Sequence, residues 1–368
     1  MRKKLLKIIC VLSLIIQVIP LQFVQAENYD SAGTMEMFES LGIYPEEKPE
    51  GMTKEFVISS MLGLRFDDRT VIDIEEFARM LGMIDYGEVY KGTSSVTYDE
   101  AIKYAVCSLG YRSHAEYQGG YINVASSLGL TEGLKSKGNI NLVDITRLIY
   151  NMLEVEPVAL DINGKDSIIL EGETLLSKYR NIHKIKGVQT ADRKTSIYSE
   201  NGCGEEEIQI DGVNFGASGI IDNFIGKNVV AYVKTDSNDK EILYIAENHG
   251  KNETLLLDSE CIVNVSDDFS YITYKNSLYR EKKAKIDGAP KVIYNGVFYG
   301  DYTKKELMPD TGSVELTDNN SDGKFDIVEV INYETVIVEG KDSLNKNKLE
   351  STEFAQYTKA YSVFNGRQ

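Results

Sequence analysis

The chain has 368 residues, with 40 Lys and Arg against 57 Asp and Glu, so its formal net charge is −17. This acidity argues against nucleic-acid binding, because phosphates require clustered Lys and Arg side chains. The length exceeds one ordinary hydrophobic core and predicts two or three domains.

Residues 1–26 have the pattern of a secretory signal peptide. Four cations come first, an apolar stretch over 8–19 follows, and a small-residue cleavage sequence ends at Ala26. The alternative is an uncleaved membrane anchor, although the apolar run is short and contains Gln17 and Pro20. Cleavage takes the net charge to −21. No later stretch approaches membrane-spanning length, so we expect a secreted chain without a transmembrane segment.

Amphipathic helices recur through the first part of the mature chain. The stretch 96–157 contains three of them, and in the first the apolar residues fall on one helical face: Ala101, Ile102, Ala105, Val106 and Leu109. Thr97 and Glu100 have the Thr-x-x-Glu spacing of a capping box, which predicts a helix start.

The helical pattern repeats. Three Leu-Gly pairs, 40 and 47 residues apart, each close a helix: Leu41-Gly42, Leu81-Gly82 and Leu128-Gly129. The next helix begins at Thr53, Thr97 and Asn141, at two intervals of 44 residues. One such unit could not bury its apolar face alone, so the spacing predicts a helix-loop-helix repeat whose units pack together.

The repeat resembles the S-layer homology domain, the triplicated cell-wall-anchoring module of Gram-positive bacteria. That family's helices open on Ile-Thr-Arg-Ala-Glu-Phe, and the matching strings here begin at Met52, Val96 and Ile140. The resemblance covers about a third of the chain, with repeats at about 31–65, 71–112 and 118–157. It implies an N-terminal all-α triplicated bundle over 27–157.

The resemblance also implies a function, namely non-covalent association with cell-wall polysaccharide or peptidoglycan at the surface of a clostridia-like bacterium. The residues carried over to wall-polymer binding are Lys54, Glu55, Tyr98, Glu100 and Asp144. The arginine that helps the family hold an anionic polymer is replaced here by Lys54, Tyr98 and Leu142. Residues 27–157 contain eleven Lys and Arg and twenty-two Asp and Glu, so their net negative charge disfavours binding of a polyanion. A bundle that kept the repeat but lost the cleft chemistry is therefore the alternative.

Helical periodicity largely ends at Pro157, and β-branched or alternating runs follow. They predict strands over 184–190, 206–210, 228–234, 241–246, 253–257, 291–294, 312–316 and 325–332. We therefore expect one or two small all-β domains after the bundle: a β-rich domain over 158–289, a β-rich segment over 290–339 and a polar tail over 340–368. This region resembles the segment that follows the repeat module in large clostridial surface proteins, which implies architecture rather than activity.

An acidic loop follows the predicted strand at 312–316. Its twelve residues fit a calcium-loop pattern, with glycine at position 6 and oxygen ligands at Asp318, Asn320, Asp322, Lys324 (its carbonyl), Asp326 and Glu329. Because both flanks read as strands, the alternative is an Asx-rich hairpin turn. The pattern predicts weak, extracellular-grade Ca²⁺ binding.

Little in the sequence supports catalysis. The three histidines, His114, His183 and His249, lack metal-ligand spacing and a nucleophile motif. Cys107, Cys203 and Cys261 remain after signal cleavage, and a disulfide between the last two is left open. We expect a structural, anchoring or adhesive protein of the cell envelope, not an enzyme. The alternatives are an extracellular carbohydrate-active enzyme or its truncated remnant, and a calcium-stabilised adhesion module.

Overall fold

The structure, a computed structural model, describes residues 30–45, 51–68, 72–117, 119–159, 168–219, 224–237, 239–248, 250–333, 340–341 and 349–350. The predicted signal peptide and most of the predicted polar tail lie outside these ranges. The described residues form two compact units. Unit 1 comprises 30–186, 215–219 and 229–250, and unit 2 comprises 187–214, 224–228 and 251–350, less the gaps given above.

The described part of the chain contains eight α-helices, seven of them before Pro157. They are α1 (Ser31–Ser40), α2 (Lys54–Leu62), α3 (Ile74–Met80), α4 (Tyr98–Ser108), α5 (Arg112–Tyr117), α6 (Tyr121–Ser127), α7 (Leu142–Met152) and α8 (Leu175–Arg180). Helix α8 begins with a capping box in which Thr174 and Ser177 exchange hydrogen bonds, and it ends at Asn181 in the left-handed region.

The described residues also form sixteen β-strands. They are β1 (Val158–Ala159), β2 (Ile168–Ile169), β3 (Ile182–Ala191), β4 (Glu207–Ile210), β5 (Val213–Gly216), β6 (Asn228–Asp236), β7 (Asp239–Glu247), β8 (Glu253–Asp258), β9 (Ile262–Val265), β10 (Tyr271–Lys275), β11 (Glu281–Tyr294), β12 (Val297–Phe298), β13 (Gly312–Asp318), β14 (Phe325–Asn332), β15 (Gly340–Lys341) and β16 (Leu349–Glu350).

The core of unit 1 is built from the helices and from residues far beyond them. Phe38, Ile58 and Ile102, on three different helices, are fully buried. Packed into the same cluster are residues that follow Pro157: Leu175, Leu176, Ile182 and Tyr232. Strands β6 and β7 of this unit form an antiparallel hairpin that runs from the pair Val229 and Glu247 to the pair Asp236 and Asp239.

The predicted fold class is therefore wrong. We expected an all-α bundle followed by separate all-β domains, but strands outnumber helices among the described residues and unit 1 itself contains both. The physical reason is burial, because the helical repeats leave apolar surface that Leu175, Leu176 and Tyr232 cover. The helical periodicity over 27–157 predicted the helices but not what completes their core.

Unit 2 contains a seven-stranded sheet. Its strand order is β8-β13-β14-β11-β10-β9, and β12 pairs with β11. Strands β13 and β14 are antiparallel, with Glu315 opposite Glu329, while β11 and β14 are parallel. The sheet buries a cluster of β-branched and leucine side chains, including Val292, Val314, Leu316, Val328 and Val330.

Candidate functional site

The three predicted repeat starts are equivalent helix caps. The side chains of Thr53, Thr97 and Asn141 accept hydrogen bonds from backbone N–H groups three residues later, at 3.2, 3.3 and 2.9 Å. Glu100 completes the predicted capping box by accepting from the Thr97 N–H at 2.9 Å. The 44-residue spacing therefore corresponds to one recurring local structure.

Backbone bridges join each repeat start to the next. Thr53 pairs with Ser95, and Thr97 pairs with Asn139, in isolated antiparallel bridges whose partners are again 44 residues apart. The N–H of Lys54 donates to the Ser94 carbonyl at 2.8 Å, and the N–H of Tyr98 donates to the Gly138 carbonyl at 2.7 Å. Successive repeats are thus held in one register by their backbones.

The Leu-Gly pairs end three helices in the same way. Gly42, Gly82 and Gly129 have positive φ angles of 61°, 79° and 74°. The N–H of each following residue donates to the carbonyl five residues earlier at 2.8 Å, which is the Schellman closure of a helix. These glycines mark helix ends, as the sequence predicted.

Lys54 lies at the first repeat start and bonds to the second. Its ammonium contacts Glu100 at 2.8 Å and Glu88 at 3.1 Å, and its side chain is only 12% exposed. Burial opposes the charge, but the hydrogen bonds to Glu100 and Glu88 outweigh burial and hold the pKa of Lys54 above its ordinary value. Because the ammonium is already paired with two carboxylates of the protein, it is poorly available to an anionic ligand.

A cleft of about 350 Å³ lies at the same repeat start. Its lining combines carboxylates, a tyrosine and apolar side chains: Glu55, Ile72, Asp73, Ile74, Glu75, Tyr90, Gly92 and Thr93. The hydroxyl of Tyr90 is buried without a hydrogen-bond partner among the described residues. Burial, reinforced by the charge of Glu55, raises the pKa of Tyr90 to about 12, so this hydroxyl remains a proton donor at neutral pH.

The carboxylates of the cleft are differently engaged. Glu75 accepts from Arg79 at 2.6 and 3.0 Å, and Asp73 accepts from the Glu76 N–H as the cap of α3. Gly92 leaves room for Glu55, because a Cβ there would lie 2.9 Å from Oε2 of Glu55 and 3.3 Å from the Tyr90 hydroxyl. The cleft therefore presents carboxylate acceptors in a negative field, and the Tyr90 hydroxyl is buried in its wall.

Tyr98 and Asp144 are also predicted to bind wall polymer, and both side chains have contacts within unit 1. Tyr98 is partly buried against the core of this unit. Asp144 is buried and accepts from the N–H groups of Lys135 and Ser136 at 3.0 and 2.8 Å. Burial alone would raise the pKa of Asp144, but these hydrogen bonds and those from the Ser136 and Asn141 side chains lower it. Neither side chain lines the cleft that contains Glu55.

The predicted calcium loop forms an Asx-rich turn between β13 and β14. Asp318 is 2% exposed, and its carboxylate accepts from the N–H groups of Asn320, Ser321 and Gly323 at 2.7 to 3.1 Å. Asp326 accepts from the Asn320 side chain at 2.9 Å. Five of the predicted ligands thus lie in this turn or at the strand ends beside it: Asp318, Asn320, Asp322, Lys324 and Asp326.

Glu329, the sixth predicted ligand, lies within β14 opposite Glu315. Burial and then the neighbouring Glu315 raise the pKa of Glu329, while Lys227, paired with Glu315 at 2.6 Å, opposes the shift. Within the described ranges, no three His, Cys, Asp or Glu side chains gather into a group able to hold a metal ion. Calcium binding stays a prediction.

Tyr90 and Arg180 could not be singled out from the sequence. One tyrosine among 23 carries no motif. Arg180 forms hydrogen bonds with residues that are more than 110 positions away along the chain. It is 6% exposed and donates to the carbonyls of Leu41 and Gly63 at 2.7 and 2.5 Å and to Asp67 at 2.5 Å.

The cysteines left open by the sequence are free thiols in the structure, including Cys203 and Cys261. No helix among the described residues is long and apolar enough to cross a membrane. Comparison of the chain with protein-family models, with curated proteins and with solved structures gives no match.

Proposed function

We propose that the chain is a secreted cell-envelope protein that associates non-covalently with cell-wall polysaccharide through the helical repeats of unit 1. Its role is structural, anchoring or adhesive. The observation that supports this proposal is the recurrence of one capped helix start at 44-residue intervals, with a backbone bridge at the first two of the three starts. The resemblance to wall-anchoring repeats rests on the same residues.

The contacts at the first repeat start favour an uncharged stretch of polymer. Lys54 is held by Glu88 and Glu100, and the cleft beside it contains the exposed Glu55, whose carboxylate has no ion-pair partner among the described residues. A carboxylate accepts hydrogen bonds from sugar hydroxyls but repels anionic substituents. We therefore place neutral sugar units in the cleft, while Lys54 is bonded to Glu88 and Glu100 and does not bind the ligand.

Co-sedimentation with purified wall sacculi, before and after removal of the secondary polymer, tests the proposal. We expect the mature chain to bind intact sacculi and to remain in solution with stripped ones. Gly92→Ala should weaken binding at least several-fold, because its Cβ would displace Glu55 and the Tyr90 hydroxyl.

Tyr86→Phe is the matched control, since Tyr86 is 98% exposed and lies outside the cleft. Equal sedimentation with intact and stripped sacculi would contradict the proposal. Binding that survives Gly92→Ala unchanged would leave wall association standing but would move the contact away from this cleft.

A further inference from the structure

A basic hairpin stands out in this acidic chain. Strands β10 and β11 of unit 2 pair antiparallel from Tyr271 and Lys285 to Lys275 and Glu281, where the turn begins. Residues 275–285 contain five Lys and Arg and one Glu, whereas the whole chain has a net charge of −17. Positive charge is thus concentrated at one end of one hairpin.

These cations are available to a ligand. Lys275, Arg280, Lys282 and Lys285 are exposed, and none of them forms an ion pair within the described part of the chain. The fifth, Lys283, lies 3.9 Å from the centre of the Tyr271 ring. Lysines that only keep a surface soluble do not need to cluster, so this concentration predicts an anionic partner.

The tip of the hairpin is apolar as well as basic. Leu278 is 68% exposed and Tyr279 is 87% exposed. The Asn276 side chain holds the tip by accepting from the N–H groups of Leu278 and Arg280 at 3.1 and 3.0 Å. Tyr279 has a φ of +56°, a left-handed conformation that is unfavourable for a residue other than glycine. The backbone therefore presents two adjacent large side chains to solvent at a conformational cost.

We propose that this hairpin docks on an anionic lipid surface, with Leu278 and Tyr279 entering the interface and the surrounding Lys and Arg contacting lipid phosphates. The positive charge favours an anionic partner. The exposed Leu278 and Tyr279 favour a bilayer over a soluble polyanion, because a soluble polyanion would leave both side chains in water. Repulsion between the lipid surface and the acidic remainder of the chain is screened, because the Debye length is about 8 Å at physiological ionic strength.

Vesicle flotation with the mature chain tests the proposal. We expect binding to vesicles of phosphatidylglycerol mixed with phosphatidylcholine, no binding to phosphatidylcholine alone, and loss of binding in high salt. Replacing Arg280, Lys282 and Lys285 by Gln should cut the partition coefficient about five-fold per cation. Leu278→Ser combined with Tyr279→Asn should weaken binding while the turn is kept, because Asn tolerates a positive φ.

A tryptophan gives a direct reading of depth. The chain contains no Trp, so Tyr279→Trp introduces a single reporter whose emission should shift to the blue and be quenched by brominated lipid. Tyr86→Trp is the matched control, at a site in unit 1 that is 98% exposed, and it should not respond. Three results would overturn the proposal: absence of binding to anionic vesicles, equal binding to neutral vesicles, or binding only to purified teichoic acid with no loss in the Leu278 and Tyr279 variant.

Discussion

At the scale of single residues, Lys54 shows how one cation serves two neighbours. Its ammonium bonds Glu88 and Glu100, whose side chains remain about one-third exposed. We predict that Lys54→Met lowers the free energy of unfolding at pH 7 by about 1–2 kcal/mol, a value between those of exposed and buried pairs. Urea unfolding would measure the change.

The pH dependence of this effect has a definite sign. Burial alone would raise the pKa of Glu100, but the bonds from Lys54 and Thr97 lower it below its ordinary 4.5. The stabilisation is therefore present above about 4.5 and is lost as the pH falls through the lowered pKa. The difference between wild type and Lys54→Met should shrink over that range. Lys103→Met, which breaks an ion pair with the 60% exposed Asp85, should cost less than about 1 kcal/mol.

Asp318 is the structural centre of the acidic turn. Its carboxylate accepts from three backbone N–H groups. Asp318→Ala would leave these donors without an acceptor, so we predict a loss of about 2–4 kcal/mol in the free energy of unfolding. Asp322→Ala removes one bond, from the Lys324 N–H, at an exposed position and should cost under about 1 kcal/mol. Equal losses in the two variants would contradict this role for Asp318.

The same pair of residues separates the turn from a calcium site. The calcium hypothesis predicts that Ca²⁺ raises the melting temperature of the wild-type chain and that chelator reverses the rise. It also predicts that Asp322→Ala, which barely affects the turn, abolishes the response. If calorimetric titration of the wild-type chain with Ca²⁺ gives no heat, the calcium hypothesis is wrong and Asp318 has only its structural role.

At the scale of secondary-structure elements, two helix-ending glycines provide a controlled comparison. Gly110 and Gly129 both have positive φ, at 84° and 74°. A Cβ on Gly129 would meet nothing closer than 3.8 Å, whereas a Cβ on Gly110 would lie 2.3 Å from the Val158 carbonyl oxygen. We predict that Gly129→Ala lowers the melting temperature slightly, for a cost of about 1–2 kcal/mol, and that Gly110→Ala costs considerably more because backbone must move. Similar melting temperatures for the two variants would contradict this prediction.

Helix starts and ends were predictable because their causes are local. Thr97 caps a helix through a residue three positions away, and Gly82 ends one through carbonyls of the preceding turn. The cleft was not predictable, since Tyr90 reaches Glu55 only through the folded chain. Nor was the bridge between Thr53 and Ser95 visible, because backbone pairing over 42 residues has no side-chain signature. Local rules thus predicted the repeat but not its partners.

At the scale of the whole molecule, the helical repeats depend on residues that follow them. Leu175, Leu176, Ile182 and Tyr232 complete the core of unit 1. The Arg180 guanidinium donates hydrogen bonds to the carbonyls of Leu41 and Gly63, which lie at the ends of two helices. The fold class was mispredicted because the helical periodicity ends at Pro157 while the core does not.

This dependence makes a prediction about fragments. Residues 27–157 contain every predicted repeat but lack Arg180 and the apolar side chains that cover the helices, so we expect the fragment to unfold without cooperativity and to bind the dye ANS. A fragment of 27–250 contains the whole of unit 1 and should unfold cooperatively. Arg180→Met in the mature chain should lower the melting temperature, because it leaves buried carbonyls unpaired. Cooperative unfolding of 27–157 would mean that the repeats form a core of their own and that Arg180 only reinforces it.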